Sequence, residues 1–415
     1  MGNIGIQVRR WTASATPRKV RTVSSRSWKG ASPSSGPGSD WSGNVSGVGC
    51  KAFRLCQEIG WRLFPYRCGR CQTEAMATTP PVTLTRSQTE RFTSIKEDLV
   101  TSVLALWLIA GLFVDGWAHR NLGGLETFFT PWHALFYSGF AAAALWMVYL
   151  VRKHSGVPIG YRSGIIGVGI FALGGIGDLI WHSVFGIEVS LDALLSPTHL
   201  ALLTGILLIL TSPLRSSWHR PTARATPWGQ ILPALLSTTL VIAVLQFFFL
   251  SASGWTSELP GVSFQPNDDE LLAAYGVLEI LVSSAIMFGG VLVFLKRYRP
   301  PPGSFILLFG VVGVLMSALD GFFWPWQMLQ MLAVGVAADL LVARIDPDPA
   351  VAFRFRLFGL LAPIAAWSIR FIAFSVFRPN LGWPPEIWGG AIVFAGLLGW
   401  GLSVLMTLPP SPARV

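Results

Sequence analysis

Between residues 99 and 405 the chain is a succession of long apolar runs separated by short polar stretches. The runs cover approximately Leu99 to His119, Pro131 to Val151, Gly164 to Phe185, Pro197 to Leu214, Gly229 to Leu250, Leu271 to Leu295, Ser304 to Phe323, Pro325 to Val342, Leu357 to Phe377 and Pro385 to Leu405. Each has about 18 to 25 residues, the length a helix needs to cross ~30 Å of hydrocarbon. The pattern predicts an all-α fold, a polytopic membrane bundle of about ten transmembrane helices.

The polar stretches alternate in charge. After the even runs stand Arg152, Lys153 and Arg162, then Arg215, Arg220 and Arg224, then Lys296, Arg297 and Arg299, then Arg344, Arg354 and Arg356. After the odd runs stand mainly acidic residues: Glu126, Glu188, Asp192, Glu258, Asp268, Asp269 and Glu270. By the positive-inside rule both termini are expected in the cytoplasm, in a cell (inner) membrane, with the acidic loops facing outward. The acidic connections also look alike, each opening the next helix on a proline: TPWHALFYSG, SPTHLALLTG and WPWQMLQMLAVG. That likeness suggests repeated helical hairpins.

Composition supports the membrane reading, with 52% hydrophobic and 13% charged residues in 415. The net charge of +10 resembles a nucleic-acid signal until it is located. Residues 1–75 hold 12 Lys/Arg against 3 Asp/Glu, or +9, which leaves the remainder at +1. The bilayer is the expected partner and nucleic acid is not. That same extension is rich in Ser, Gly and Arg, lacks a sustained period, and reads as disordered. Met76 is an alternative start that would leave it untranslated. It holds all four cysteines, Cys50, Cys56, Cys68 and Cys71, at spacings that fit no common zinc template. The expected organisation is a basic extension (1–75), a polar lead (76–98), a four-helix unit (99–214), a basic loop (215–228), a six-helix unit (229–408) and a tail (409–415).

Two of the acidic connections carry candidate chemistry. In VDGWAHRNLGGLETFFTPWHALFYSG, Asp115 and His119 stand four apart and His133 follows Thr130-Pro131-Trp132. In GDLIWHSVFGIEVSLDALLSPTHLALLTG, Asp178 and His182 stand four apart and His199 follows Ser196-Pro197-Thr198. An i, i+4 pair shares one helix face and can chelate one ion. Thr130 or Ser196 suits the N-cap and the proline the first turn, so the later His falls at the third helical position. Each hairpin thus offers two imidazoles and a carboxylate, a set suited to copper, iron or zinc with positions left open. Glu126 and Asp192, each seven residues before the later His, are expected to accept a ligand's free ring N–H. Glu188 fits either role.

Each of these residues also has an ordinary role open to it, as an interfacial Asp, an interhelical His or a helix start. The same set recurring at the same offsets beside membrane spans, where ionisable groups are costly, favours a metal site. His154 and His219, in basic loops, are expected to be solvated. Asp320, Glu279 and Arg370 are expected to form interhelical ion pairs. A third connection, DGFFWPWQ, aligns with ETFFTPWH but ends on Gln327 and lacks the Asp-x3-His, which reads as a hairpin without ligands.

At these residues the sequence resembles the C subunit of the copper-dependent membrane monooxygenases, the particulate methane and ammonia monooxygenases. That subunit carries Asp-x3-His followed by acidic-Thr-x-Phe-Thr-Pro-x-His, and DGWAH followed by ETFFTPWHALFYSGF is similar nearly throughout. The likeness covers roughly residues 110–210, with Trp117 two positions before His119 where the family has Trp directly before the His. The resemblance implies copper ligation by Asp115, His119 and His133, and a second similar motif at Asp178, His182 and His199, where the family has Asn first. It also implies partner subunits or a homo-oligomer. Three functions follow as expectations: a copper redox enzyme oxidising a small apolar substrate with dioxygen, a copper carrier or sensor without turnover, and a zinc hydrolase using a carboxylate such as Glu126 as general base. Bis-His haem suits the adjoining carboxylates less well.

Overall fold

A computed structural model describes residues 92–122, 128–186, 191–221, 223–378 and 381–408. The expectations for residues 1–75, including the four cysteines, lie outside the described residues. The helices are α1 (Ile95–Asn121), α2 (Pro131–Lys153), α3 (Arg162–Phe185), the short α4 (Leu191–Leu195), α5 (Pro197–Leu210), α6 (Ser212–His219), α7 (Trp228–Phe248), α8 (Glu270–Arg297), α9 (Ser304–Leu319), α10 (Pro325–Ile345), α11 (Ala352–Phe377) and α12 (Pro385–Met406). No strand occurs among the described residues.

Nine helical segments of 21–28 residues among the described residues are long and apolar enough to span a bilayer, with α5 and α6 counted as one. The chain is therefore a multi-pass helical membrane bundle. Two expected spans differ in detail. The fourth was expected to end at Leu214; it breaks at Thr211 and then runs on to His219, because Pro213 cannot continue the hydrogen-bond ladder but is tolerated near a new helix start. The seventh was expected to reach Phe323 but stops at Leu319, where Gly321 (φ 60°) and Phe322 (φ 59°) turn left-handed. Its 16 residues reach about 24 Å.

Neighbours in sequence pack as antiparallel hairpins, α1 on α2, α3 on α5, α9 on α10 and α11 on α12, with α7 the most deeply buried span. In the first two hairpins glycine sets the approach. A Cβ on Gly111 would lie 2.7 Å from the Phe136 Cα, and one on Gly139 would lie 2.7 Å from the Leu108 Cα. Likewise a Cβ on Gly167 would meet the Gly205 carbonyl at 2.7 Å, and one on Gly205 the Phe171 backbone at 2.8 Å. Such close backbones replace the hydrophobic drive that lipid does not supply. Ile166, Leu173, Ile176, Ile180 and Val184 on α3 stay exposed, an apolar face suited to acyl chains.

The alternating course of the hairpins collects one set of loops at each end. At the end opposite the two histidine motifs a polar knot ties α1 to α6 and the α2–α3 turn. Asp98, with no exposed surface, accepts from Thr93 (2.6 Å), Tyr161 (2.8 Å), Ser216 (3.1 Å) and Arg220 (2.7 Å). Burial and the Asp98 charge push the Tyr161 phenol well above its ordinary range, so it remains a donor. Every lone pair of the buried carboxylate is used, as a charge away from water requires. At the same end His154 lies 3.3 Å from the Glu97 carboxylate and Lys153 at 2.7 Å from it. His154 is thus engaged where solvation was expected, because Glu97 at the third position of α1 points back to the cap. His219 is exposed, as expected.

Candidate metal centre

The six expected ligands converge as two triads. Asp115 and His119 come from the last two turns of α1, and His133 from the first turn of α2. Asp115 Oδ2 lies 3.8 Å from His119 Nε2 and 3.6 Å from His133 Nε2. Asp178 and His182 come from the last two turns of α3, and His199 from the first turn of α5. Asp178 Oδ1 lies 3.6 Å from His182 Nε2 and 3.4 Å from His199 Nε2. Within each triad the candidate ligand atoms all lie within 4.8 Å of one another.

The helix starts are built as their sequences require. The Thr130 hydroxyl accepts the His133 backbone N–H at 3.1 Å, Ser196 accepts that of His199 at 3.4 Å, and Pro131 and Pro197 open the helices. The same hydroxyls meet the ring Nδ1 atoms, at 3.2 Å for His133 and 2.5 Å for His199. One residue therefore satisfies the cap and steadies the imidazole, leaving Nε2 turned to the carboxylate. His182 Nδ1 meets the Gly186 carbonyl at 3.1 Å, and Gly186 adopts φ 85° just beyond the helix, a conformation glycine holds without strain.

These atoms fit a metal ion. With bonds of about 2.1 Å, two ligands 120° apart are separated by about 3.6 Å, inside the 3.4–3.8 Å range found. Asp115 Oδ1, His119 Nδ1 and His182 Nε2 are buried without a hydrogen-bond partner among the described residues. Buried polar atoms are seldom left so, and an ion between the side chains would account for His182 Nε2 directly.

The triads adjoin each other. The His133 and His182 ring centroids are 6.3 Å apart, and the Phe128 ring stacks on His133 at 4.8 Å and stands 6.2 Å from His182. Tyr137, one turn beyond His133 on α2, donates to Asp178 Oδ2 at 3.3 Å. Asp178 Oδ1 accepts from Thr198 at 3.2 Å. Tyr137, Thr198, Phe128 and the Gly186 carbonyl were not singled out from sequence. The available signals were the i+4 spacing of Tyr137 from His133 and the position of Thr198 next to His199.

The chain matches no family model, no curated protein and no solved structure.

The remaining expected residues divide. Glu126 and Glu188 lie outside the described residues, as does the side chain of Asp192. Asp320 pairs with Arg120 of α1 at 3.0 Å, an interhelical ion pair of the expected kind. Glu279 and Arg370 form no ion pair with each other. Glu279 Oε2 has no hydrogen-bond partner among the described residues, and Arg370 donates to the Ser257 carbonyl at 2.7 Å beneath the aromatic rings of Trp326 and Phe374. Apolar periodicity says that both residues are in spans, but not which way each helix is rotated. Gln327 is buried at the start of α10, in the place that His133 holds in α2.

Proposed function

We propose that the two triads bind copper, with Asp115, His119 and His133 holding one ion and Asp178, His182 and His199 a second, in a centre at the outward end of the bundle. The observation that carries this reading is the pair of Asp-His-His clusters in helix hairpins of the same build, with His182 Nε2, a ligand atom, buried and unpartnered among the described residues. Lys153, Arg220, Arg224 and Arg299, all at the opposite end, support a cytoplasmic location for that end by the positive-inside rule. Zinc and iron suit the same donors, and the resemblance to the monooxygenase C subunit is what favours copper.

Held by two imidazoles and a carboxylate with open positions, copper supplies redox chemistry with dioxygen. The chain's own residues supply the rest. Gly186 holds the His182 tautomer, Thr130 and Ser196 steady the rings of His133 and His199, Tyr137 and Thr198 fix the Asp178 carboxylate, and Phe128 covers one face of His133. A cleft of about 300 Å³ between α3 and α5, lined by Ile170, Leu173, Gly174, Gly177, Pro197, Thr198 and Ala201, opens beside Asp178. It suits a small apolar substrate arriving from the lipid, which makes oxidation of such a substrate the favoured activity.

Metal analysis of the protein purified in detergent tests the reading. Copper is expected in the wild type and a fall of about half in each of His133→Ala and His199→Ala. A metal-free wild type, indistinguishable from both variants, would sink it. Oxygen uptake with a reductant marks an enzyme. Copper passed to an acceptor without oxygen uptake marks a carrier, and bound zinc without redox response a hydrolase.

A further inference from the structure

A second group of buried polar atoms lies in the other half of the chain, among α8, α10, α11 and the α7–α8 connection. Its centre is Arg370 on α11, only 1% exposed. The guanidinium lies 4.9 Å from the Trp326 ring and 5.1 Å from the Phe374 ring, and its one hydrogen bond among the described residues runs from Nη2 to the Ser257 carbonyl at 2.7 Å. Nε and Nη1 have no partner among the described residues. No carboxylate among the described residues forms a salt bridge with it: Glu258, whose charge reaches Arg370, is engaged by Arg378, and Glu279 forms no ion pair with it.

Two residues on one face of α10, the nearer being Trp326, are in the same condition. Among the described residues Trp326 Nε1 has no partner, nor does either amide atom of Gln330, one turn along α10 and only 3% exposed. A cleft of about 500 Å³, lined by Glu258, Gly261, Val262, Trp324, Phe374, Phe377 and Arg378, reaches Phe374, the ring that covers Arg370.

The free groups around Arg370 are mostly N–H donors, and the one carboxylate whose charge reaches it, Glu258, is already paired with Arg378. Water would satisfy the hydrogen bonds but leave the charge to a single carboxylate shared with Arg378, in apolar surroundings. Ser257 takes only one of the two Nη2 hydrogens. The other, together with either Nε or Nη1, leaves one edge of the guanidinium fork whole, the edge that binds two oxygens side by side. We propose that Arg370, with Trp326 and Gln330, forms a ligand site separate from the metal triads, which takes an oxoanion, a carboxylate or a phosphate, through the cleft at Phe374. The aromatic lining suits an anion attached to an apolar group. The proposal does not rest on the metal reading.

Binding to purified full-length protein by titration calorimetry tests it, with inorganic phosphate, butyrate and dihexanoyl phosphatidic acid as separate probes. At least one is expected to saturate at one per chain. Arg370→Lys keeps the charge but removes the fork, and it is expected to weaken that probe at least about tenfold with metal content unchanged. Gln330→Leu should weaken it by a smaller factor, and Arg354→Gln, at the opposite end of α11, should not. Saturation by phosphatidic acid alone identifies a lipid headgroup as the source, and saturation by phosphate or butyrate a soluble anion. Absence of saturation by all three overturns the proposal, as does binding that Arg370→Lys and Gln330→Leu both leave intact.

Discussion

The two triads have the same ligands in the same order, but they are not equally supported. Around Asp178 both carboxylate oxygens are used, one by Thr198 and one by Tyr137, and His182 is held by the Gly186 carbonyl. Around Asp115, Oδ1 has no partner among the described residues, nor does His119 Nδ1. The second triad is therefore held by hydrogen bonds of its own, whereas the first, on the proposed metal reading, relies more on an ion to order it. Like sequence spacing sets like ligand positions, and the surrounding hydrogen bonds set how rigidly those positions are held.

The largest test of that contrast is removal of each carboxylate. Asp115→Ala and Asp178→Ala are each expected to abolish binding at their own triad, read as the loss of about one ion per chain. In the wild type a graded chelator should strip the Asp115 triad first; simultaneous loss from both triads would count against the contrast. Closing the helix approach should also be costly. Gly139→Ala and Gly205→Ala place a Cβ against backbone in their respective hairpins, each at a cost of about 1–3 kcal/mol in thermal unfolding, and each should disturb its own triad more than the other. A smaller effect is expected from the supports of Asp178. Thr198→Val and Tyr137→Phe should each weaken metal at the second triad about tenfold and leave the first within a factor of about two. If Tyr137→Phe affected the first triad more, the assignment of its phenol to Asp178 would be wrong. Smallest are the caps: Thr130→Ala and Ser196→Ala should each lower stability by about 1 kcal/mol, with metal affinity falling alongside because the same hydroxyl steadies the ring.

Much of this centre was legible in the sequence because it is local. The i, i+4 pairs, the Ser/Thr caps, the helix-opening prolines and the third-position histidines all follow from helical geometry within one hairpin. The apolar runs gave the bundle in the same way. What crosses between hairpins was not legible. Tyr137 reaching Asp178 depends on how α2 is set against α3, and the stacking of Phe128 depends on the entry to α2. The pairing expected of Glu279 with a helical neighbour failed for the same reason, since the rotation of α8 is fixed by packing against α12 and α7, and that of α11 by packing against α12 and α10, rather than by their own periodicity. Thr211 and Pro213 illustrate a smaller limit, a break that hydropathy alone passes over.

The knot at Asp98 has a mechanical meaning for the opposite end. With α1, α6 and the α2–α3 turn fastened there through a buried carboxylate whose oxygens are all engaged, the helices have a common pivot. Glycine contacts keep each hairpin's arms together along the middle. The triads stand at the other end of these tethered helices, so loosening the knot, as Asp98→Ala would, is expected to reach the spacing between them.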